Sequence, residues 1–197
     1  MTAEGRAGLG RDLPAALALA RAGDEEGFRV LFRAIQPPLL RYLYVLVGPD
    51  AEDVASDTWL HIVRDLHTFD GEIGDFRRWT ATVGRHRAID HLRHSRRRPK
   101  RASAIGALDD WPDQDDTADS AIENVMTGAC LTLIARLPRE QAEAVMLRVV
   151  VGLDSESAGR VLNRRAGAVR TAAYRGLRKL AYLVRRNDPA VLTPENA

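Results

Sequence analysis

Cysteine is nearly absent from this chain: Cys130 is the only one in 197 residues. That excludes an intramolecular disulfide and a cysteine-based metal cluster. The neighbours Val125, Met126, Ala129 and Leu133 are apolar at helical spacing, so a buried structural thiol is expected. Long hydrophobic runs are also missing. Leu39 to Val47 is apolar but far shorter than the roughly 20 residues that span a bilayer. The opening residues MTAEGRAGLGR lack the apolar core of a signal peptide. A cytoplasmic protein without membrane insertion is expected. No segment alternates as a strand, and there is neither a Gly-rich phosphate loop nor a nucleophile elbow. His91 and His94 share a helix face, but no Glu stands at metalloprotease spacing and the neighbours are arginines, which disfavour a bound cation. No metal, cofactor or enzymatic activity is therefore expected.

What the chain does have is charge in blocks. The formal charge is only +2, from 29 basic and 27 acidic residues. Arg77 to Arg101 nevertheless holds ten bases against the single acid Asp90, and Asp109 to Glu123 holds seven acids and no base. Between Arg164 and Arg186 there are eight Lys/Arg and no acid. Such segregation implies polyanion contacts at the basic blocks and a solvated tether at the acidic one.

The apolar pattern has the helical period nearly throughout. Leu13 to Ala22 reads as a short helix ended by Gly23. Asp24 then caps a second helix with Phe28, Leu31, Phe32 and Ile35 on one side. Pro37 and Pro38 are expected to kink or interrupt it. The pattern resumes through Leu39, Tyr42, Leu43 and Leu46 and stops at Gly48-Pro49. From Asp50 to His67, Val54, Thr58, Ile62 and Leu66 form an inward stripe, with Asp53, Asp57, His61 and Arg64 outward. A loop over 69–75 leads into a basic helix from Phe76 to Arg97. Residues 101–119 read as an acidic linker. A second unit over 120–186 places Ile122, Val125, Met126, Ala129 and Leu133 on one face. It continues with a helix carrying Ala142, Val145, Met146 and Val149 behind Pro138. The expected fold class is all-α, with two helical domains (12–100 and 120–186) joined by the acidic linker.

The stretch Gly152 to Leu180 has the pattern of a helix-turn-helix. Leu153, Ala158, Val161 and Leu162 can seat its first helix against Val169, Ala173 and Leu177 of the second. Asn163 in the turn tolerates the left-handed conformation that a tight helix end needs. Arg170, Thr171, Tyr174 and Arg175 then project from one side of the second helix, with Arg164 and Arg165 just before it. These residue types suit base edges and phosphates in a major groove. A merely solvated basic helix is the competing reading.

Three other constellations stand beside it. The Arg-rich helix can bind phosphates without sequence preference, and Phe76 and Trp79 at its start are either stacking platforms for unpaired bases or core residues. The acids Asp50, Asp53 and Asp57 suit a basic protein partner, or stabilise a helix N-terminus.

Taken in order, these parts resemble the extracytoplasmic-function, two-domain subgroup of bacterial RNA polymerase sigma factors, from about Leu17 to Leu183. Ala20-Arg-Ala-Gly-Asp24 with Phe28 is similar to that family's opening signature. Ala51-Glu-Asp-Val54 with Asp57-Thr-Trp59 resembles its core-polymerase-binding helix. Trp79 to Arg85, His86, Ile89-Asp90 and Arg93 resemble the helix that melts the promoter and reads the −10 element. Leu137-Pro138, Gly152-Leu153 and Gly167-Ala-Val-Arg-Thr171 resemble the −35-reading domain. The chain departs from the family's pattern at Ser56-Asp57, His86, Ser157-Ala158-Gly159 and Ala172.

The resemblance implies a function: binding of core RNA polymerase and promoter-specific initiation, with no covalent chemistry of its own. It implies polymerase docking through Asp50, Asp53 and Asp57. The −10 DNA would meet Asp75, Phe76, Arg77, Arg78, Trp79, Arg85, His86 and Arg87. The −35 duplex would meet Arg164, Arg165, Arg170, Thr171, Tyr174 and Arg175. It also implies an anti-sigma factor as regulatory partner. The rival is a stand-alone helix-turn-helix regulator that binds DNA as a dimer without polymerase.

Overall fold

A computed structural model describes residues 12–97 and 128–187, and every regular element among them is helical. The acidic segment 101–119 lies outside the described residues, as do Ile122, Val125 and Met126. The order is α1 (Leu13–Arg21), α2 (Glu25–Val47), α3 (Ala51–Asp65) and α4 (Ile73–Arg97), then α5 over residues 128–135. It ends with α6 (Arg139–Val145), α7 (Ser155–Leu162) and α8 (Ala166–Asn187).

The local signals that start and stop these helices are plain. Asp12 accepts a hydrogen bond from Ala15 N at 3.1 Å, and Asp24 one from Gly27 N at 2.7 Å, each satisfying an amide with no partner in its own helix. Gly23 and Gly48 take φ of 88° and 66° where α1 and α2 end, a region open to glycine without strain. α2 is not interrupted at Pro37 and Pro38; it continues to Val47. Proline inside a helix costs about 3 kcal/mol. The burial of Ile35, Leu39, Leu40, Tyr42 and Leu43 on both sides of the pair offsets that cost. α4 starts at Ile73, so the loop before it is shorter than expected.

The first unit packs α1 to α4 around Leu17, Leu31, Ile35, Leu39, Leu43, Val54, Ile62, Leu66 and Phe76. Phe28, Phe32 and Trp59 join its edge, with ring centroids 4.9–6.3 Å apart. Trp59 Nε1 donates to Gln36 Oε1 at 2.6 Å, which satisfies the indole's one donor. By composition alone, the stretch Glu25–Thr68 passes for a membrane span, but its apolar stripe is spent on this core.

The second unit packs α5 to α8 around Leu131, Ile134, Leu137, Val145, Met146, Leu147, Leu153, Ala158, Val161 and Val169. Three expectations fail here. Ala129 and Cys130 are exposed, because α5 turns Leu131 and Ile134 inward instead. The thiol is therefore not a core group. Val149 is 59% exposed: a π turn over Met146–Val150, closed by Val151 N to Met146 O at 2.9 Å, shifts the phase and buries Leu147 in its place. Leu177 is 45% exposed. Helix α8 instead crosses α6 at Gly176, where a Cβ would stand 2.8 Å from Val145 Cγ2, so only glycine allows that approach.

Candidate nucleic-acid interface

The helix-turn-helix is assembled by three small-scale devices. Asp154 caps α7, accepting from Glu156 N at 2.9 Å and Ser157 N at 2.7 Å; these backbone donors hold its carboxyl below the usual range, the Ser157 amide most strongly. Asn163 ends α7 in the left-handed region at φ 53° and ψ 49°, as the sequence suggested. At Gly159 a Cβ would lie 2.6 Å from Arg164 O. The Ser157-Ala158-Gly159 departure thus lets the turn fold back directly over α7.

Arg164, Arg165, Arg170, Thr171, Tyr174 and Arg175 are all exposed. Thr171 Oγ1 donates back to Gly167 O at 3.0 Å, which leaves the hydroxyl oxygen able to accept. Among the described residues, Arg165, Arg170 and Arg175 make no ion pair, whereas Arg164 Nη2 binds Glu140 at 2.6 Å. Lys179 lies on the same exposed helix, and Arg178 sits 5.9 Å over the Tyr174 ring. The result is a helix with Arg170 and Arg175 in water.

The basic helix α4 is different. Phe76 is fully buried, so it offers no surface to a base. This corrects the sequence expectation: at position 76 the ring faces the core formed by α1 to α3. Trp79 is half-buried, stacked on Phe69 at 5.1 Å and 17°, and edge-on to Phe76 at 5.9 Å. The three rings pin the 69–72 loop to α4. Asp75 Oδ1 binds Arg78 Nη2 at 2.7 Å, and its Oδ2 accepts from Glu72 N at 3.4 Å. The Arg78 hydrogen bond lowers the Asp75 pKa. Asp75 therefore closes the first turn of its own helix.

Along α4, His86 and Arg87 are exposed, and Arg87 Nη2 lies 3.3 Å from His61 Nδ1. Arg85 instead is drawn against the second unit: its Nε binds Glu143 Oε2 at 2.6 Å. Arg77 approaches the turn after α6, with Nη1 3.9 Å from where a Cβ on Gly152 would stand.

On α3, Asp53 and Asp57 are exposed one turn apart, and Val54, Thr58, Ile62 and Leu66 point inward. Asp50 does not join them freely; its Oδ2 lies 2.7 Å from His91 Nε2. Sequence reasoning missed Leu60 and Val63, which are 71% and 54% exposed on the same side. The signal was available: Leu60 is three residues after Asp57 on an outward stripe.

Comparison with known proteins fits this geometry. Residues 31–98 match Sigma-70 region 2, and residues 128–180 match Sigma-70, region 4. A helical chain with these two regions in this order is a sigma-70-type transcription factor. More narrowly, it belongs to the ECF (extracytoplasmic-function) RNA polymerase sigma factors. It is 34% identical over 167 residues to the ECF sigma factor BldN of Streptomyces coelicolor, covering 84% of this chain and 63% of that protein. It is 30% identical over 178 residues to SigD of Mycobacterium tuberculosis, covering 87% of this chain and 83% of that one. The chain thus spans under two thirds of the BldN relative's length and most of SigD's. Among solved structures, CnrH in complex with the cytosolic domain of CnrY matches at TM-score 0.60 and 19% identity, over 90% of this chain and 100% of that one. RpoE of Bartonella quintana, in complex with the anti-sigma factor NepR, matches at 0.59 and 19%, over 82% and 98%. These two likenesses concern the fold. The stand-alone regulator is not favoured, since it accounts for region 4 and leaves region 2 unexplained.

Proposed function

We propose that this chain binds core RNA polymerase and directs promoter-specific initiation by reading −10 and −35 elements, acting as a non-enzymatic cytoplasmic factor. The carrying observation is the pairing of two helical units with different polar faces. One is an exposed recognition helix free of acids; the other is a basic helix braced by aromatic rings beside an acidic helix.

In this reading residues 12–100 form the polymerase-docking and −10 domain, 101–119 a tether, and 120–186 the −35 domain. Asp53 and Asp57 dock on the polymerase with Leu60 and Val63 alongside, and Asp50 supports them through His91. Asp75 holds the loop, and Trp79 with Arg77, Arg78, Arg85, His86 and Arg87 attends the separated strand. Unstacking a base costs a few kcal/mol, which stacking and phosphate contacts repay. Arg170, Thr171, Tyr174 and Arg175 read the −35 duplex, and Arg164 and Arg165 contact its phosphates. The solved relatives in complex with CnrY and with NepR support an anti-sigma factor as regulatory partner here too.

Run-off transcription with core polymerase tests the proposal. The intact chain initiates on a subset of fragments from a genomic library. Asp53→Ala and Arg175→Ala each reduce that initiation without lowering the thermal melting temperature. No initiation on any fragment contradicts the reading.

A further inference from the structure

The outward side of α3 changes character along its length. Asp53 and Asp57 are acids, and the next residues on that side, His61 and Arg64, are basic types. A helix dipole favours cations near its C-terminus, and that alone could account for Arg64. It does not account for Arg87, which reaches the same place from α4. Arg64 Nη2 lies 3.0 Å, and Arg87 Nη2 3.3 Å, from a single atom, His61 Nδ1.

Arginine can only donate, so Nδ1 is the acceptor for both. The other ring nitrogen, Nε2, lies 3.4 Å from Asp65 Oδ2, which places the ring's proton there and the lone pair on Nδ1. One lone pair serves two donors poorly, and two guanidinium charges side by side repel. Arg87 is exposed and makes no ion pair among the described residues. Arg64 is held by Asp65, from Nε to Oδ1 at 2.7 Å and from Nη2 to Oδ2 at 3.1 Å. That fork fixes the guanidinium plane and leaves Nη1 without a partner among the described residues, on a side chain 68% exposed.

The acceptor that suits this pair carries negative charge and several lone pairs. A phosphodiester has both, and its two free oxygens can each take an N–H from one arginine. The two guanidinium tips flank one ring atom, so a single phosphate can reach both. Asp65 is no strong competitor, because an exposed ion pair contributes little. Position favours DNA over an acidic protein side chain. Arg87 follows the exposed His86 on α4, so the pair continues the surface assigned above to the −10 strand.

We propose that Arg64 and Arg87 form a phosphate-binding site that extends the −10 surface from α4 onto α3. A backbone phosphate of the unpaired strand replaces His61 Nδ1 as their shared acceptor. Helix α3 then serves two partners, polymerase at Asp53 and Asp57 and DNA at Arg64. The site rests on the function proposed above.

The test uses core polymerase carrying the full chain, bound to a pre-opened bubble made from a fragment that supports run-off transcription. Single methylphosphonate linkages, each removing one phosphate charge, are walked through the −10 segment of each strand. One linkage is expected to weaken binding by the intact chain about tenfold, at the low end for a hydrogen bond to a charged group. Arg64→Ala and Arg87→Ala each weaken binding to the unmodified bubble by a similar factor. Each also cuts the effect of that same linkage to about twofold, since the two losses share one contact. The logarithmic salt slope falls by about 0.7 in each variant. Affinity of Arg64→Ala for core polymerase without DNA stays at that of the intact chain, whereas Asp53→Ala lowers it.

If no linkage is masked by both variants, the site does not exist and the sigma-factor reading stands. If Arg64→Ala weakens core binding as Asp53→Ala does, α3 is a docking helix throughout and the proposal is overturned. If the intact chain supports no run-off transcription, the sigma-factor reading falls, and the free full-length chain with a fluorescein-labelled thymidine decamer decides the site. Losses there that are smaller in the double variant than the product of the two singles uphold it, and independent losses overturn it.

Discussion

The recognition helix α8 and the basic helix α4 carry similar charge but are built in opposite ways. Arg165 just before α8, and Arg170 and Arg175 on it, stand in water on a helix that needs only a cap, a turn and two close glycine contacts to be aimed. On α4, the polar groups are tied down: Asp75 to Arg78, Arg85 to Glu143, Arg87 beside His61, and Trp79 stacked on Phe69. A duplex presents its phosphates and base edges from outside, so a rigid exposed helix suffices to read it. A strand that must first be unstacked calls for groups held in place beforehand.

The largest way to break this contrast is Phe76→Ala. If Phe76 is core, the loss is about 3–5 kcal/mol of stability in the first unit, seen as an early thermal transition by circular dichroism. A DNA-contact role predicts unchanged melting instead. Next is Gly159→Ala, which drives a methyl into the Arg164 carbonyl. It costs about 1–3 kcal/mol, confined to the second unit, and weakens −35 duplex binding with it. Arg175→Ala leaves melting unchanged and costs about 1–3 kcal/mol of affinity for −35 duplex, with a shallower salt slope.

The smallest effect is that of acid. Asp154 has a carboxyl pKa below its unfolded value of 3.8, chiefly through the Ser157 amide. Its contribution is therefore present above 3.8 and lost as pH falls through the lower, folded value. Melting of the second unit falls over that window, and less so in Asp154→Asn, which keeps an oxygen acceptor without titrating.

Much of this was legible in the chain. Asp24, Gly48 and Asn163 announced helix ends, because caps and left-handed turns are read from local chemistry. The inward stripe Val54, Thr58, Ile62 and Leu66 came from period alone, and the all-α class with it. What stayed hidden depended on packing at a distance. The Pro37-Pro38 pair is carried through α2 by buried neighbours, and a π turn rotates Val149 outward, which no fixed period anticipates. Cys130 is exposed because α5 is phased on Leu131 and Ile134. The sequence offered Phe76 as platform or as core, and its burial decides for the core. Glu143 and Arg85 are far apart in the chain, and nothing local joins them.

The most direct test of the division of labour is footprinting of a promoter complex formed with core polymerase, with permanganate to detect unpaired thymines. Arg85→Ala is predicted to reduce thymine reactivity around −10 while −35 protection persists. Arg175→Ala is predicted to lose −35 protection first. If both variants lose the two signals together and to the same degree, the two helices do not divide the work and the account is wrong.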